Sequence, residues 1–110
     1  MGKHIFKTKL QDFNKHSYKE LFLRNPQNPI LSAKDWPYPV NSVFNPAAVQ
    51  FHDKTLLLAR VEDRRGFSHF TKAISANGVN NWQIDSFLTL EPDADLYPEE
   101  RWGIEDPRIT

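Results

Sequence analysis

The sequence contains no cysteine, which excludes disulfide staples, thiolate metal sites and a cysteine nucleophile. It has no surplus of charge either. Its 14 basic and 14 acidic residues cancel, so nothing argues for electrostatic capture of nucleic acid or of an anionic membrane. No apolar run approaches membrane-spanning length, and Met1–Leu10 lacks the continuous apolar core of a secretory leader. Gly2 is followed by Phe6 where a myristoylation signal has Ser or Thr. The four histidines, His4, His16, His52 and His69, show no metal-ligand spacing, so no zinc or other metal site is expected. These absences leave a soluble, cytoplasmic chain as the expectation. With 110 residues it suffices for one small domain, burying about 60–70% of its unfolded surface.

Residues 1–34 read as a polar arm. Ser17-Tyr18-Lys19-Glu20 opens a short helical pattern through Leu23, with Ser17 and Glu20 spaced as a capping box. That helix should end at Asn25-Pro26, and Asn28-Pro29 adds a second break. Trp36-Pro37-Tyr38-Pro39 excludes helix and predicts an extended segment whose aromatics cover something. Arms of this kind wrap a domain or a neighbouring subunit, so a homo-oligomer joined through the arm is one expectation.

From Val43 onward the pattern turns to strands. Ala47–Phe51 is followed by a short turn at His52-Asp53-Lys54 and by a return strand, Thr55–Val61, rich in Leu and Val. Arg64-Arg65-Gly66 makes the next turn. Phe67–Ser75 then alternates, with Phe67, His69, Thr71 and Ala73 on one side and Ser68, Phe70, Lys72 and Ile74 on the other. Asn77-Gly78 is the favoured pair for a tight hairpin turn. Trp82–Leu90 supplies a fourth extended segment before an acidic, proline-containing loop, Glu91–Glu100. The class is all-β, and four short antiparallel strands between about residues 46 and 90 have the size of one propeller blade, about 40–45 residues. Ile104–Thr110 would begin the next blade, so residues 35–110 are expected to form a first blade and the start of a second.

Four stretches invite a chemical reading. Asn45-Pro46 is, on local sequence, a turn before a strand; the alternative is an amide at a strand mouth, donating to and accepting from a sugar's vicinal hydroxyls. Arg60-Val61-Glu62-Asp63-Arg64-Arg65-Gly66 reads equally as a solvated hairpin tip with paired charges or as a functional edge. In the second case Arg60, at the end of the apolar run Leu56–Ala59, leaves the core beside a cleft and holds hydroxyls or anions with its fixed fork of donors. Glu91-Pro92-Asp93-Ala94-Asp95 lacks the regular oxygen spacing of a calcium loop and reads as solvated. Glu105-Asp106 is the sharpest. Adjacent acids in a strand point to opposite faces, so only one can enter a given pocket, and Pro107 favours an extended Asp106.

Five segments together resemble a known family. They are Asn41-Ser42-Val43-Phe44-Asn45-Pro46-Ala47-Ala48, Leu57-Leu58-Ala59-Arg60-Val61-Glu62-Asp63-Arg64-Arg65-Gly66, Ser68-His69, Ser75-Ala76-Asn77-Gly78 and Trp102-Gly103-Ile104-Glu105-Asp106-Pro107-Arg108-Ile109-Thr110. In this order and spacing the chain resembles the mannoside phosphorylases of glycoside hydrolase family 130, which fold as five-bladed β-propellers. The resemblance implies that Asp106 is the catalytic acid and that Asn45 and Arg60 bind the mannosyl unit being transferred. Arg65 and Glu105 lie in matched motifs and are expected to line the same pocket. It further implies an inverting reaction in which inorganic phosphate, the co-substrate, attacks one face of a β-mannoside. The linking oxygen leaves from the other face, and the proton passes through the sugar's own 3-hydroxyl. No cofactor is required.

The physical logic is coherent. An inverting hydrolase needs a second carboxylate to activate water, whereas phosphate is already an anionic nucleophile and needs a cationic pocket instead. One carboxylate then suffices, provided that it keeps its proton, which burial beside Trp102 would favour. Five blades of about 40–45 residues exceed this chain, and the family's phosphate-binding basic residues follow the last matched motif. The expectation is therefore an N-terminal portion of a longer enzyme, or a truncated gene product, inactive alone. A β-mannoside hydrolase of the same family and a non-catalytic carbohydrate-binding or assembly fragment are the alternatives.

Overall fold

A computed structural model of the chain describes residues 19–110. Among these residues the regular structure is β apart from two short 3-10 turns, Ala33–Asp35 and Pro98–Trp102. Four strands, β1 (Ser42–Phe51), β2 (Lys54–Glu62), β3 (Ser68–Ser75) and β4 (Gln83–Ile84), form one antiparallel sheet in the order β1-β2-β3-β4. Each strand pairs with the next in sequence. No helix among the described residues is long and apolar enough to cross a membrane.

Local chemistry accounts for the connections. Phe51 pairs with Lys54, so His52 and Asp53 form a two-residue hairpin turn. Both have positive φ, 48° and 61°, as a turn matched to the right-handed strand twist requires. Asp63 organises the link from β2 to β3. Its Oδ1 accepts the backbone N–H groups of Arg65 at 2.8 Å and Phe67 at 3.1 Å, and its own N–H donates to the Phe67 carbonyl at 2.8 Å.

Strand register sorts the side chains onto two faces. Ala59 opposes Thr71 and Val61 opposes His69, and all four are buried. The preceding extended segment lies against this face. Trp36, 7% exposed, packs with Ala59 and Val61, and Tyr38, Val40, Val43 and Ile84 close around them. The aromatics of Trp36-Pro37-Tyr38-Pro39 thus cover the sheet of their own chain. Tyr38 adds a polar anchor, its hydroxyl bonding His69 Nε2 at 2.7 Å and Thr71 Oγ1. The opposite face carries Ala47, Leu58 and Lys72 in one row and Arg60 beside Phe70 in another.

Several expectations change. Ser17 lies outside the described residues, and residues 19–23 are not helical, so the helical pattern through Leu23 is not realised there. Asn45-Pro46 is not a turn before a strand but lies inside β1, which starts at Ser42. Asn77-Gly78 does not close a tight hairpin, because Ile74 pairs with Gln83 and leaves a wider loop between them. Within that loop Asn77 Oδ1 accepts the N–H groups of Val79 and Asn80, and Ser75 Oγ donates to the Asn80 carbonyl at 2.6 Å. Side-chain bonding to the backbone outcompetes the hairpin ladder here. The expected strand Trp82–Leu90 shrinks to Gln83–Ile84, with a separate bridge between Phe70 and Leu90. Ile104–Thr110 does not form a strand.

Candidate functional site

The site begins with an irregularity in β1. Val43 pairs with Val61 and Pro46 with Ala59, so two residues, Phe44 and Asn45, stand opposite the single Arg60. This is a β-bulge, which bends a strand and re-aims its side chains. Pro46 has no N–H to offer the ladder, so a break in pairing here costs little. Phe44 is thereby placed under the guanidinium of Arg60, 4.8 Å from ring centroid to Cζ, and Asn45 is turned outward beside it.

The second half of the site arrives on the segment after the Pro98–Trp102 turn. Gly103 has φ +109° and lies so close to β3 that a Cβ would sit 2.6 Å from the Ser68 nitrogen and 2.9 Å from its carbonyl oxygen. Only glycine tolerates both the conformation and the approach. The contact continues as Ile104 N–H donates to the Ser68 carbonyl at 3.0 Å. The segment therefore crosses the end of β3 and delivers Glu105 and Asp106 to the bulge.

There the two acids engage Arg60 of β2 and the re-aimed Asn45. Arg60 Nη2 pairs with Glu105 Oε2 at 2.9 Å, and Arg60 Nε donates to Ser68 Oγ at 3.0 Å. Asn45 Nδ2 donates to Asp106 Oδ1 at 3.1 Å across 61 sequence positions. Asp106 is not extended, as Pro107 led us to expect. Its φ is +56°, a left-handed conformation that Asp tolerates better than most residues. Because the segment is not a strand, the acids do not diverge to opposite faces, and both reach the same cluster. Nor is Asp106 buried beside Trp102, for both residues are exposed.

No protein-family model matches the chain, and no curated protein matches it. The site is therefore read from its geometry. Four of the five candidate residues form two contact pairs, Arg60 with Glu105 and Asn45 with Asp106, adjoining in the chain at Glu105-Asp106. The first pair lines a cleft of about 270 Å³ together with Ser68, Glu99 and Trp102. The fifth, Arg65, is engaged elsewhere. It forks onto Asp63 Oδ2 with Nη2 at 2.8 Å and Nε at 3.1 Å, and its guanidinium lies over the Phe67 ring. Burial pushes the Asp63 carboxyl up, but the Arg65 side chain, the Phe67 and Arg65 amides and the Arg65 charge outweigh it. The net effect holds Asp63 below the ordinary carboxylate range.

Three contributors escaped sequence reasoning. Ser68 and Phe44 hold Arg60 from two sides, and no local signal marks either as a partner of that arginine. The third is the buried Tyr38–His69–Thr71 network. Burial pushes His69 below its ordinary value, while Asp63 and Glu91 oppose that with their charge. Its signal was the alternation of polar residues His69 and Thr71 on the face that the core uses, since buried polar groups demand partners. Among the described residues no group of three or more His, Asp or Glu side chains is arranged to hold a metal ion.

Chemically, the cluster offers an amide, a guanidinium and two carboxylates within one exposed patch over an aromatic ring. That set presents donors and acceptors at fixed angles to a hydroxyl-rich ligand. It also contains a carboxylate, Asp106, oriented by the Asn45 amide N–H.

Proposed function

We propose that this chain carries the acid and part of the sugar pocket of an inverting β-mannoside phosphorylase. The observation that supports the reading is the convergence of Asn45 and Arg60 at the bulge with Glu105 and Asp106. Family resemblance singled these residues out from separate motifs, and the fold joins them by direct contacts. In this reading the four-stranded sheet is one blade of a five-bladed propeller, and the site lies at the blade's edge.

Each residue has a role in the proposed reaction. Asn45 and Arg60 hold the hydroxyls of the mannosyl unit. Glu105 fixes the Arg60 fork, as does Ser68. Phosphate attacks the anomeric carbon and forms the new C–O bond while the bond to the linking oxygen breaks. Asp106 gives its proton, through the 3-hydroxyl of the sugar, to that departing oxygen. The products are α-mannose 1-phosphate and the shortened sugar. Arg60 is engaged by Glu105 and Ser68, so the cluster supplies the acid and the sugar contacts rather than the phosphate pocket.

A second reading also has support, that of a carbohydrate-binding or assembly unit without turnover of its own. Leu21, Phe22 and Leu23 in the arm are 84%, 79% and 93% exposed, and Phe87 is 81% exposed. Apolar side chains presented in this number mark surfaces that other protein covers. The readings separate by assay. The phosphorylase reading predicts that mannose binds at Asn45 and that phosphate-dependent release of mannose 1-phosphate requires Asp106. Mannose binding that persists unchanged in Asp106→Asn, with no phosphorolysis in any assembly containing the chain, would leave only the binding unit.

A further inference from the structure

We infer that Trp102 is the platform of a second sugar subsite, on which the ring bonded to the mannosyl unit stacks. The inference rests on the mannoside reading of the neighbouring cluster and extends it to the leaving-group side.

Trp102 combines two properties. It is 68% exposed, yet its position is fixed. Phe67 meets it edge-on, with centroids 6.1 Å apart at 74°, and the Arg101 guanidinium lies over the indole at 4.9 Å. Behind it the Pro98–Trp102 turn is locked, since Gly103 N–H donates to the Glu100 carbonyl at 2.9 Å and Glu100 Oε2 accepts the Asp93 N–H at 2.8 Å. A large aromatic held rigid at the surface loses little freedom when something stacks on it.

The cleft beside it suits a single sugar ring. Its volume, about 270 Å³, lies at the small end of ligand clefts, which start near ~300 Å³. One wall is the indole; the rim is Glu99, Glu105, Ser68 and Arg60. A pyranose presents an apolar C–H face and a hydroxyl edge, the complement of an aromatic wall beside carboxylate acceptors. The lining itself favours a neutral ligand, since Glu99 and Glu105 are acidic and Arg60 is paired with Glu105; Arg101, stacked on the indole, is not among the lining residues. The cleft shares Arg60 and Glu105 with the mannosyl cluster, and Asp106 is the next residue. Asp106 itself does not line the cleft; the link to the acid is that the residue before it, Glu105, does.

The test is a titration of the ¹⁵N-labelled chain with mannose and with β-linked mannobiose. Of the three tryptophan indole signals, the one from Trp102 is assigned by its loss in Trp102→Phe. Mannobiose is expected to move both the Asn45 side-chain amide and the Trp102 indole, whereas mannose moves only the Asn45 amide. Trp102→Ala should weaken mannobiose about tenfold and leave mannose within about twofold, and Trp102→Phe should recover part of the loss. If mannobiose moves the Asn45 amide but not the indole, or binds Trp102→Ala equally well, the platform is refuted while the mannoside reading stands. If neither sugar moves the Asn45 amide, the mannoside reading is refuted and the platform with it.

Discussion

Replacing Gly103 with alanine should detach the acid-bearing segment from the sheet while the sheet stays folded. The new methyl carbon would sit 2.6 Å from the Ser68 nitrogen, 2.9 Å from its oxygen and 3.3 Å from its Cα. All three are backbone atoms of β3, so the obstacle cannot rotate aside as a side chain would. The alanine must also hold φ near +109°, a conformation that costs a non-glycine residue about 1–3 kcal/mol. Two escapes exist, deforming β3 or undocking the segment. What docking is worth can be bounded. The Ile104–Ser68 hydrogen bond contributes about 1 kcal/mol, and the Arg60–Glu105 pair at most about 1, because Glu105 is 61% exposed. The exposed Asn45–Asp106 bond adds less than about 1 kcal/mol, and burial of the Pro107 ring about 1. Docking is thus worth about 3 kcal/mol, whereas the backbone strain of about 1–3 kcal/mol is joined by an overpacking cost of about 1–3 kcal/mol against β3, so the segment is expected to let go. Urea denaturation of Gly103→Ala should show a loss of no more than about 3 kcal/mol with a cooperative transition retained. In the folded protein the Asn45 side-chain amide signal should move to its solvent-exposed position. An alanine variant with unchanged stability and an unmoved Asn45 amide would refute the claim that Gly103 delivers the acids.

Arg60→Lys removes the fork that bonds Ser68 and Glu105 together; mannose affinity should fall about tenfold while stability changes by less than about 1 kcal/mol, checked by NMR titration and urea melts. Trp36→Ala empties the largest core position, and a loss of about 3–5 kcal/mol is expected, enough to unfold the chain by circular dichroism. The pH dependence has two parts. Burial holds His69 below its ordinary 6.5, so the unfolded chain binds that proton first; its contribution is complete above pH 6.5 and declines as the pH falls through the lower folded value. His69→Gln should flatten that portion of a stability–pH profile. Asp63, held below its ordinary 3.8, adds a further loss that begins only below that pH, and Asp63→Asn should remove it.

Much of the strand pattern was legible because β2 and β3 announce themselves locally. Leu56-Leu57-Leu58 and the alternation from Phe67 to Ser75 place strands within one residue of their observed ends. The turn expected over His52-Asp53-Lys54 was legible in place but not in length, since Lys54 pairs with Phe51 as the first residue of β2 and leaves only His52 and Asp53 in the turn. Failures came where side chains rewrite the backbone. Asn77 and Ser75 bond their own loop and open the tight hairpin expected at Asn77-Gly78. The helical pattern ending at Leu23 packs its apolar side chains against nothing among the described residues, leaving Leu21, Phe22 and Leu23 exposed, and is not realised in residues 19–23. For the site, the residue types were readable but their partners were not. Nothing in Asn45-Pro46 announces a bulge, because a bulge is a mismatch between two strands rather than a property of one. Likewise Pro107 argued for an extended Asp106, yet the tertiary contacts of Gly103 and Ile104 impose φ +56° instead. That override is why both acids, rather than one, reach the cluster.

The most direct test of the central claim is the binding of mannose to the 110-residue chain, followed at the Asn45 side-chain amide. The account predicts a saturable shift with mannose, a much weaker one with its 2-epimer glucose, and loss of the shift in Asp106→Ala, whose missing carboxylate frees Asn45. No shift, or an equal shift for both sugars and for the Asp106 variant, would contradict it.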